Sequence, residues 1–296
     1  MQALKVRLLC LRFPGFCDIN RRYTGTPVST CRMATFHRDW NMSRAKLAAI
    51  LYLVSIGLAE IATATLDPRL GFVLYTLILL ALFAQATLDR DGSASRFFLS
   101  LTLIPVLRLV GLSLPLPVLQ PVIQVLATAV PVSVAAVLVI RYLPVQPAQI
   151  GLAPGERPLG LVGYALVALA GVPLGLAQYW SLGQSHFLET HQIERSGLPI
   201  AILVFYLGFL GELIFRGILL RSSRRLLGDG WGLLYVSLLA SWLYVGYGGW
   251  LPVLLAFAYS LFFGWVVIRT RTLYAVSLAH GIANAVLVML APLWFG

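Results

Sequence analysis

Charge is what this sequence has least of. Asp, Glu, Lys and Arg together make up 11% of its 296 residues, against 59% hydrophobic and a mean hydropathy of +0.86. A typical soluble domain carries about 25% charged residues, so the shortage excludes that class and leaves a polytopic membrane protein. Cysteine is scarcer still: Cys10, Cys17 and Cys31 are the only three, all in the amino-terminal tail. Their spacing fits no zinc-ligand pattern, and a tail in a reducing compartment is not expected to form disulfides. Histidine occurs four times, and only His280 lies in a long apolar run, too few for a typical zinc site. No metal and no other cofactor is therefore expected. The tail also lacks the apolar run of a secretory signal. Met33 or Met42 is the expected start, with the residues before it a disordered basic arm or an over-extended reading frame.

Long apolar runs are what the chain has in abundance. Crossing a hydrocarbon core of about 30 Å takes about 20 apolar residues. Such runs fall near 46–66, 70–88, 97–113, 118–141, 159–180, 198–220, 231–247, 250–269 and 272–291. The expected fold is all-α, a polytopic transmembrane helix bundle of eight or nine spans. The third run is the weakest. It is short, carries Arg108 and meets the stretch Leu114-Pro115-Leu116-Pro117, so a broken or re-entrant helix is expected there. The organisation expected is a basic arm over 1–45, membrane helices over 46–142 and a carboxyl-terminal set over 159–296. The polar, Pro-bearing segment Arg141 to Pro158 forms the boundary.

The net charge of +11 is a matter of topology rather than of nucleic acid. Residues 1–46 hold nine Lys/Arg against Asp18 and Asp39, a net +7 (9 − 2). Most remaining cations fall in alternate loops: Arg90 and Arg96, Arg141 and Arg157, Arg221, Arg224 and Arg225, then Arg269 and Arg271. The opposite loops keep Arg69 and Arg195. The positive-inside rule then orients the amino terminus to the cytoplasm, and the partners expected are the bilayer and its anionic heads, with no nucleic acid. The external segment Ser181 to Gly197 contains His186, Glu189, His191 and Glu194. H-x-x-E-x-H is not the H-E-x-x-H zinc helix, so this reads as an exposed polar loop.

Two polar pairs interrupt the apolar runs. Glu212 and Arg216 stand at i, i+4 inside Ala201–Leu220, and His280 and Asn284 at i, i+4 inside Leu273–Leu290. A charge at the centre of a membrane helix costs roughly 2.5–3.5 kcal/mol on insertion scales, so such residues face a bundle interior and mark a site or a buried pair. Counting from Arg221 and Arg271 at about 1.5 Å per residue, Glu212 and His280 both lie about 13 Å from the cytoplasmic ends of their helices. A shared cavity is expected. Glu60 and Arg108 are a further intramembrane acid and base, able to pair with each other or with that cavity. Tyr244, Tyr247, Trp242 and Trp250 read as an interfacial aromatic belt.

The residues GELIFRG from Gly211, SWLYVGYG from Ser241, and the block from Gly264 to Ala285 that contains RTRTLYAVSLAHGIAN resemble the CPBP family of intramembrane proteases. That family includes the endopeptidases of prenylated CAAX proteins and bacteriocin-processing or self-immunity proteins. The likeness covers about 198–291, and the family pattern is E-E-x-x-x-R, F-x-x-x-H and H-x-x-x-N/D on separate membrane helices. It implies glutamic-type hydrolysis, without a metal, of a peptide bond in a membrane-associated or prenylated substrate, in a bacterial plasma membrane. Carried over by position, it assigns the catalytic residues Glu212, Arg216, His280 and Asn284, with His280 and Asn284 stabilising the oxyanion. Two positions depart from the pattern. Gly211 replaces the first Glu, and Gly248 replaces the His that follows Tyr244, and these are the residues that activate water in the family.

The physical consequences follow from the residues themselves. General-base assistance is worth typically 10²–10⁴-fold, and neither glycine can supply it. Oxyanion donors remain, each worth about 2.7–4 kcal/mol. Arg216 is placed to pair with Glu212, which would hold the carboxylate ionised but weakly basic. Either Glu212 and Arg216 neutralise one another or they take part in catalysis. His280 and Asn284 either serve the site or join helices by hydrogen bonds. The alternatives to hydrolysis are a catalytically impaired relative that binds a peptide or lipid tail as a receptor or immunity scaffold, and a small-molecule transporter.

Overall fold

The computed structural model describes residues 28–89, 92–114, 121–153, 160–182 and 190–295. The Pro-rich stretch through Pro115 and Pro117, the loop residues His186 and Glu189, and Cys10 and Cys17 lie outside them. Among the described residues there are helices and no strands. The chain divides into two units, Met1–Trp40 and Asn41–Gly296, and everything below concerns the second.

Its helices are α1 (Val28–Thr65, of which the part from Asn41 belongs here), α2 (Pro68–Leu88), α3 (Gly92–Leu101), α4 (Leu103–Ser113) and α5 (Pro121–Tyr142). They continue with α6 (Gly160–Leu169), α7 (Gly171–Ser181), α8 (Thr190–Glu212), α9 (Leu220–Leu227), α10 (Asp229–Trp242), α11 (Trp250–Thr270), α12 (Tyr274–Ala285) and α13 (Ala291–Phe295). Local chemistry sets several of the boundaries. Pro68 opens α2, where its missing N–H costs nothing, and the Asp67 carboxylate accepts from the Arg69 N–H at 2.7 Å. The third span breaks between α3 and α4 because Pro105 has no N–H to donate to the Leu101 carbonyl. Pro173 has the same effect between α6 and α7, four residues after Leu169.

Seven stretches among the described residues are long and apolar enough to cross a membrane: 44–65, 68–88, 92–113, 123–142, 160–181, 250–270 and 274–295. They coincide with seven of the expected spans, the broken third one included. At the sixth, α8 runs on without interruption through a wider π-type segment, Leu213–Leu219, into α9, and stops where Gly228 adopts φ 93°. The seventh departs from its expected length. α10 ends at Trp242, and its 14 residues reach about 21 Å at about 1.5 Å per residue, short of a bilayer core. The rest of that run is a 3₁₀ turn, Val245–Tyr247, followed by Gly248 at φ 76°.

Burial follows the same division. Phe97, Phe98, Ile104, Ile218, Leu239 and Phe263 lie in one continuous core. Leu47, Ile50, Leu51, Val54 and Leu58 of α1, and Val130, Val134, Val137 and Leu138 of α5, are exposed at helical spacing. Soluble monomers rarely expose contiguous apolar faces of that size, and lipid tails are the solvent that suits them. The protein is an integral membrane helix bundle.

Candidate functional site

α12 lies against α7 on one side and α8 on the other, and glycine makes both approaches close. A Cβ at Gly208 of α8 would stand 2.6 Å from the Gly281 backbone nitrogen. On the α7 side, a Cβ at Gly175 would stand 2.5 Å from the Ala283 carbonyl oxygen, and one at Gly171 would overlap the Ala279 carbonyl. Small residues of this kind let membrane helices approach backbone to backbone. The Gly208–Gly281 contact also brings the polar end of α8 beside the polar face of α12.

Three of the four expected site residues meet there. Glu212 is fully buried and Arg216 is 3% exposed. The Glu212 Oε1 atom accepts from Arg216 Nη1 at 3.1 Å and lies 2.7 Å from His280 Nδ1. Glu212 is the last residue of α8 proper, and Arg216 sits in the π-type segment that follows. Such widened turns occur often at functional sites. A carboxylate can only accept, so with Glu212 in that form the short contact is a hydrogen bond donated by His280 Nδ1. The other ring nitrogen, Nε2, is thereby left with a lone pair when the ring is neutral. The His280 side chain is 17% exposed, in contrast to the two residues it joins.

Asn284 does not join them. Its Nδ2 donates to the Val204 carbonyl on α8 at 3.1 Å, linking the two helices one turn further along. Aromatic rings close the other side. The Arg216 guanidinium lies 5.9 Å from the Tyr259 ring and 5.8 Å from the Phe263 ring, and His280 contacts the same two rings edge-on or tilted at 6.1 and 6.3 Å. Tyr259 donates its hydroxyl to the Tyr244 hydroxyl at 3.0 Å. Tyr244 therefore reaches inward, unlike Tyr247 and Trp250, which are exposed as a belt would be. Glu212 Oε2, Arg216 Nε and Arg216 Nη2 are buried without a hydrogen-bond partner among the described residues. A buried, charged cluster with unspent donors and an unspent acceptor is suited to holding a polar group of a ligand.

The two glycines at departing positions differ in their surroundings. A Cβ at Gly211 would stand 3.4 Å from His280 Cε1, so this position borders the cluster. Gly248 is exposed beyond the end of α10, and nothing lies within 4 Å of a Cβ placed there. Hydropathy and motif spacing do not single out Tyr259 and Phe263. A lone Tyr in the middle of the 250–269 run is the one signal that points to them, since a hydroxyl at that depth needs a partner.

Glu60 and Arg108 pair with each other, away from the cluster. Arg108 Nη2 donates to Glu60 Oε2 at 2.6 Å, its Nε lies 2.6 Å from Oε1, and the Tyr75 hydroxyl donates to Oε1 at 2.6 Å. Among the described residues no group of three or more His, Cys, Asp and Glu is placed to hold a metal ion.

Residues 195–286 match the family model described as Type II CAAX prenyl endopeptidase Rce1-like. No curated protein and no solved structure matches the chain. The matched segment contains Glu212, Arg216, Tyr244, Tyr259, Phe263, His280 and Asn284, and so covers the whole cluster. Over residues 195–286, the carboxyl-terminal third, this integral membrane protein is similar to the CAAX prenyl endopeptidase family.

Proposed function

We propose that this protein is an intramembrane endopeptidase that hydrolyses a peptide bond in a membrane-associated or lipidated substrate, with His280 as its base. The observation that carries the reading is the 2.7 Å contact between His280 Nδ1 and the fully buried Glu212. A carboxylate on Nδ1 fixes the tautomer and stabilises the imidazolium, as in other acid–histidine pairs. His280 Nε2 removes a proton from water, and the resulting hydroxide attacks the scissile carbonyl. The unpartnered N–H groups of Arg216 stabilise the tetrahedral oxyanion. The imidazolium then returns the proton to the leaving amine as the C–N bond breaks. The proposed site residues are Glu212 and Arg216 with His280, and Asn284 positions α12 against α8.

A second reading has its own support. Gly211 and Gly248 provide no side chain for water activation, and one Asn284 N–H is spent on Val204. A non-catalytic receptor for a membrane peptide or lipid tail would use the same cluster without turnover.

One experiment separates the two. The purified protein in liposomes is offered a mixed library of membrane-anchored and prenylated peptides, beside Glu212→Gln and His280→Ala. The hydrolytic reading expects cleavage that falls by about 10²-fold or more in both variants. No cleavage, by a folded wild type that still binds a peptide which His280→Ala does not, establishes the receptor.

A further inference from the structure

A group of arginines borders a cleft at the end of the bundle that carries Arg221, just past the sixth span. The cleft is small, with a largely apolar lining, Leu143, Val145, Ile150 and Ile218, and is bordered by Arg96 of α3 and by Arg221 and Arg225 of the helix that follows the sixth span. Three of its lining residues are arginines and none is a carboxylate. The nearby Arg224 has its counter-charge, with Nε donating to Asp229 Oδ1 at 2.9 Å. Arg221 is held otherwise: both its Nη atoms donate to Gln149, at 2.8 Å to the main-chain oxygen and 2.8 Å to Oε1. Those neutral acceptors fix its direction without cancelling its charge. The Nε atoms of Arg96 and Arg221 are buried without a hydrogen-bond partner among the described residues. Burial first, and then the charges of Arg225 and Arg96, lower the Arg221 pKa from the ordinary arginine value.

Two half-buried arginines, Arg96 and Arg221, and an exposed third, Arg225, with no acid among the residues lining the cleft, repel one another and favour an anion between them. We propose that Arg96, Arg221 and Arg225 form a binding site for a phosphoryl group, the anionic phosphate of a phospholipid head or of a soluble phosphorylated ligand. Guanidinium groups match phosphate oxygens with paired N–H donors, and basic pockets between membrane helices are suited to lipid heads. The proposal does not depend on the protein being a protease.

The full chain in nanodiscs is titrated with phosphatidylglycerol against phosphatidylcholine and followed by native mass spectrometry. Removing two of the cleft's charges, in Arg96→Gln/Arg225→Gln, is expected to weaken phosphatidylglycerol retention by about tenfold or more, while Arg141→Gln/Arg269→Gln changes it by about twofold or less. In a second arm, neutral-lipid nanodiscs receive millimolar inorganic phosphate. A rise in melting temperature that Arg96→Gln/Arg225→Gln abolishes assigns the cleft to a soluble phosphorylated ligand. If the double variant does not fold, Arg225→Gln decides, because Arg225 is exposed. Equal losses in both double variants show diffuse attraction and overturn the proposal, as does no effect in either arm.

Discussion

Arg216 meets Glu212 through a single nitrogen, while its other donors face Tyr259, Phe263 and buried space. Its removal leaves a buried carboxylate with only a histidine beside it. Breaking a buried pair from one side costs about 3–5 kcal/mol. Arg216→Met is therefore expected to lower the melting temperature in detergent sharply, and an unchanged value would show that His280 alone compensates Glu212. Gly211 offers the opposite test. A side chain there begins 3.4 Å from His280 Cε1, in ordinary contact, so Gly211→Glu places a second carboxylate at the edge of the imidazole. On the hydrolytic reading, cleavage in the liposome assay rises by about tenfold or more, and the melting temperature falls because one Arg then faces two acids. For Glu60 and Arg108, Glu60→Leu and Arg108→Leu are each expected to cost roughly 2 kcal/mol, and the double variant less than their sum. Additive losses in denaturation would mean that the two groups act independently.

At the scale of elements, the site depends on how closely α8 and α12 approach. Gly208→Leu cannot be accommodated by a flexible side chain, because what it meets is the Gly281 and His280 backbone. The two helices must separate. The cost is about 1–3 kcal/mol or more for overpacking, and the 2.7 Å Glu212–His280 contact is lost with it. Cysteines placed on the two helices should then cross-link less readily in Gly208→Leu than beside a native Gly208, and equal cross-linking would show that the helices stay in register. Widened π-type turns follow both site helices, Leu213–Leu219 after Glu212 and Val286–Leu290 after Asn284. The first carries Arg216 within the turn, so the i, i+4 pair is set by a geometry that an ideal α-helix does not have.

For the whole molecule, the exposed apolar faces of α1, α2, α5 and α6 set the boundary with lipid, and the polar clusters lie within the bundle or at its ends. From the positive-inside asymmetry we propose that the amino terminus, and the cleft of Arg96, Arg221 and Arg225, face the cytoplasm. A chain that starts at Met1 carries all three cysteines in the tail and so reports its own orientation. A membrane-impermeant maleimide is expected to label inverted vesicles and to leave right-side-out vesicles unlabelled. Labelling of right-side-out vesicles alone would reverse the topology.

Sequence by itself determined the class of this protein and most of its spans, and it singled out the candidate site residues. Scarcity of charge and runs of about 20 apolar residues leave few folds, because an unpaired backbone group in hydrocarbon is too costly for anything but helices or closed barrels. Intramembrane Glu, Arg and His are legible for the same reason, and even the shared depth of Glu212 and His280 follows from helical rise. Tertiary structure alone decided who pairs with whom. The partner of His280 is Glu212, Asn284 turns to Val204, Arg108 takes Glu60, and Tyr244 reaches Tyr259 instead of the interface. These choices depend on how closely helices distant in sequence approach one another and on turns wider than 3.6 residues. Hydropathy and spacing carry no information about either.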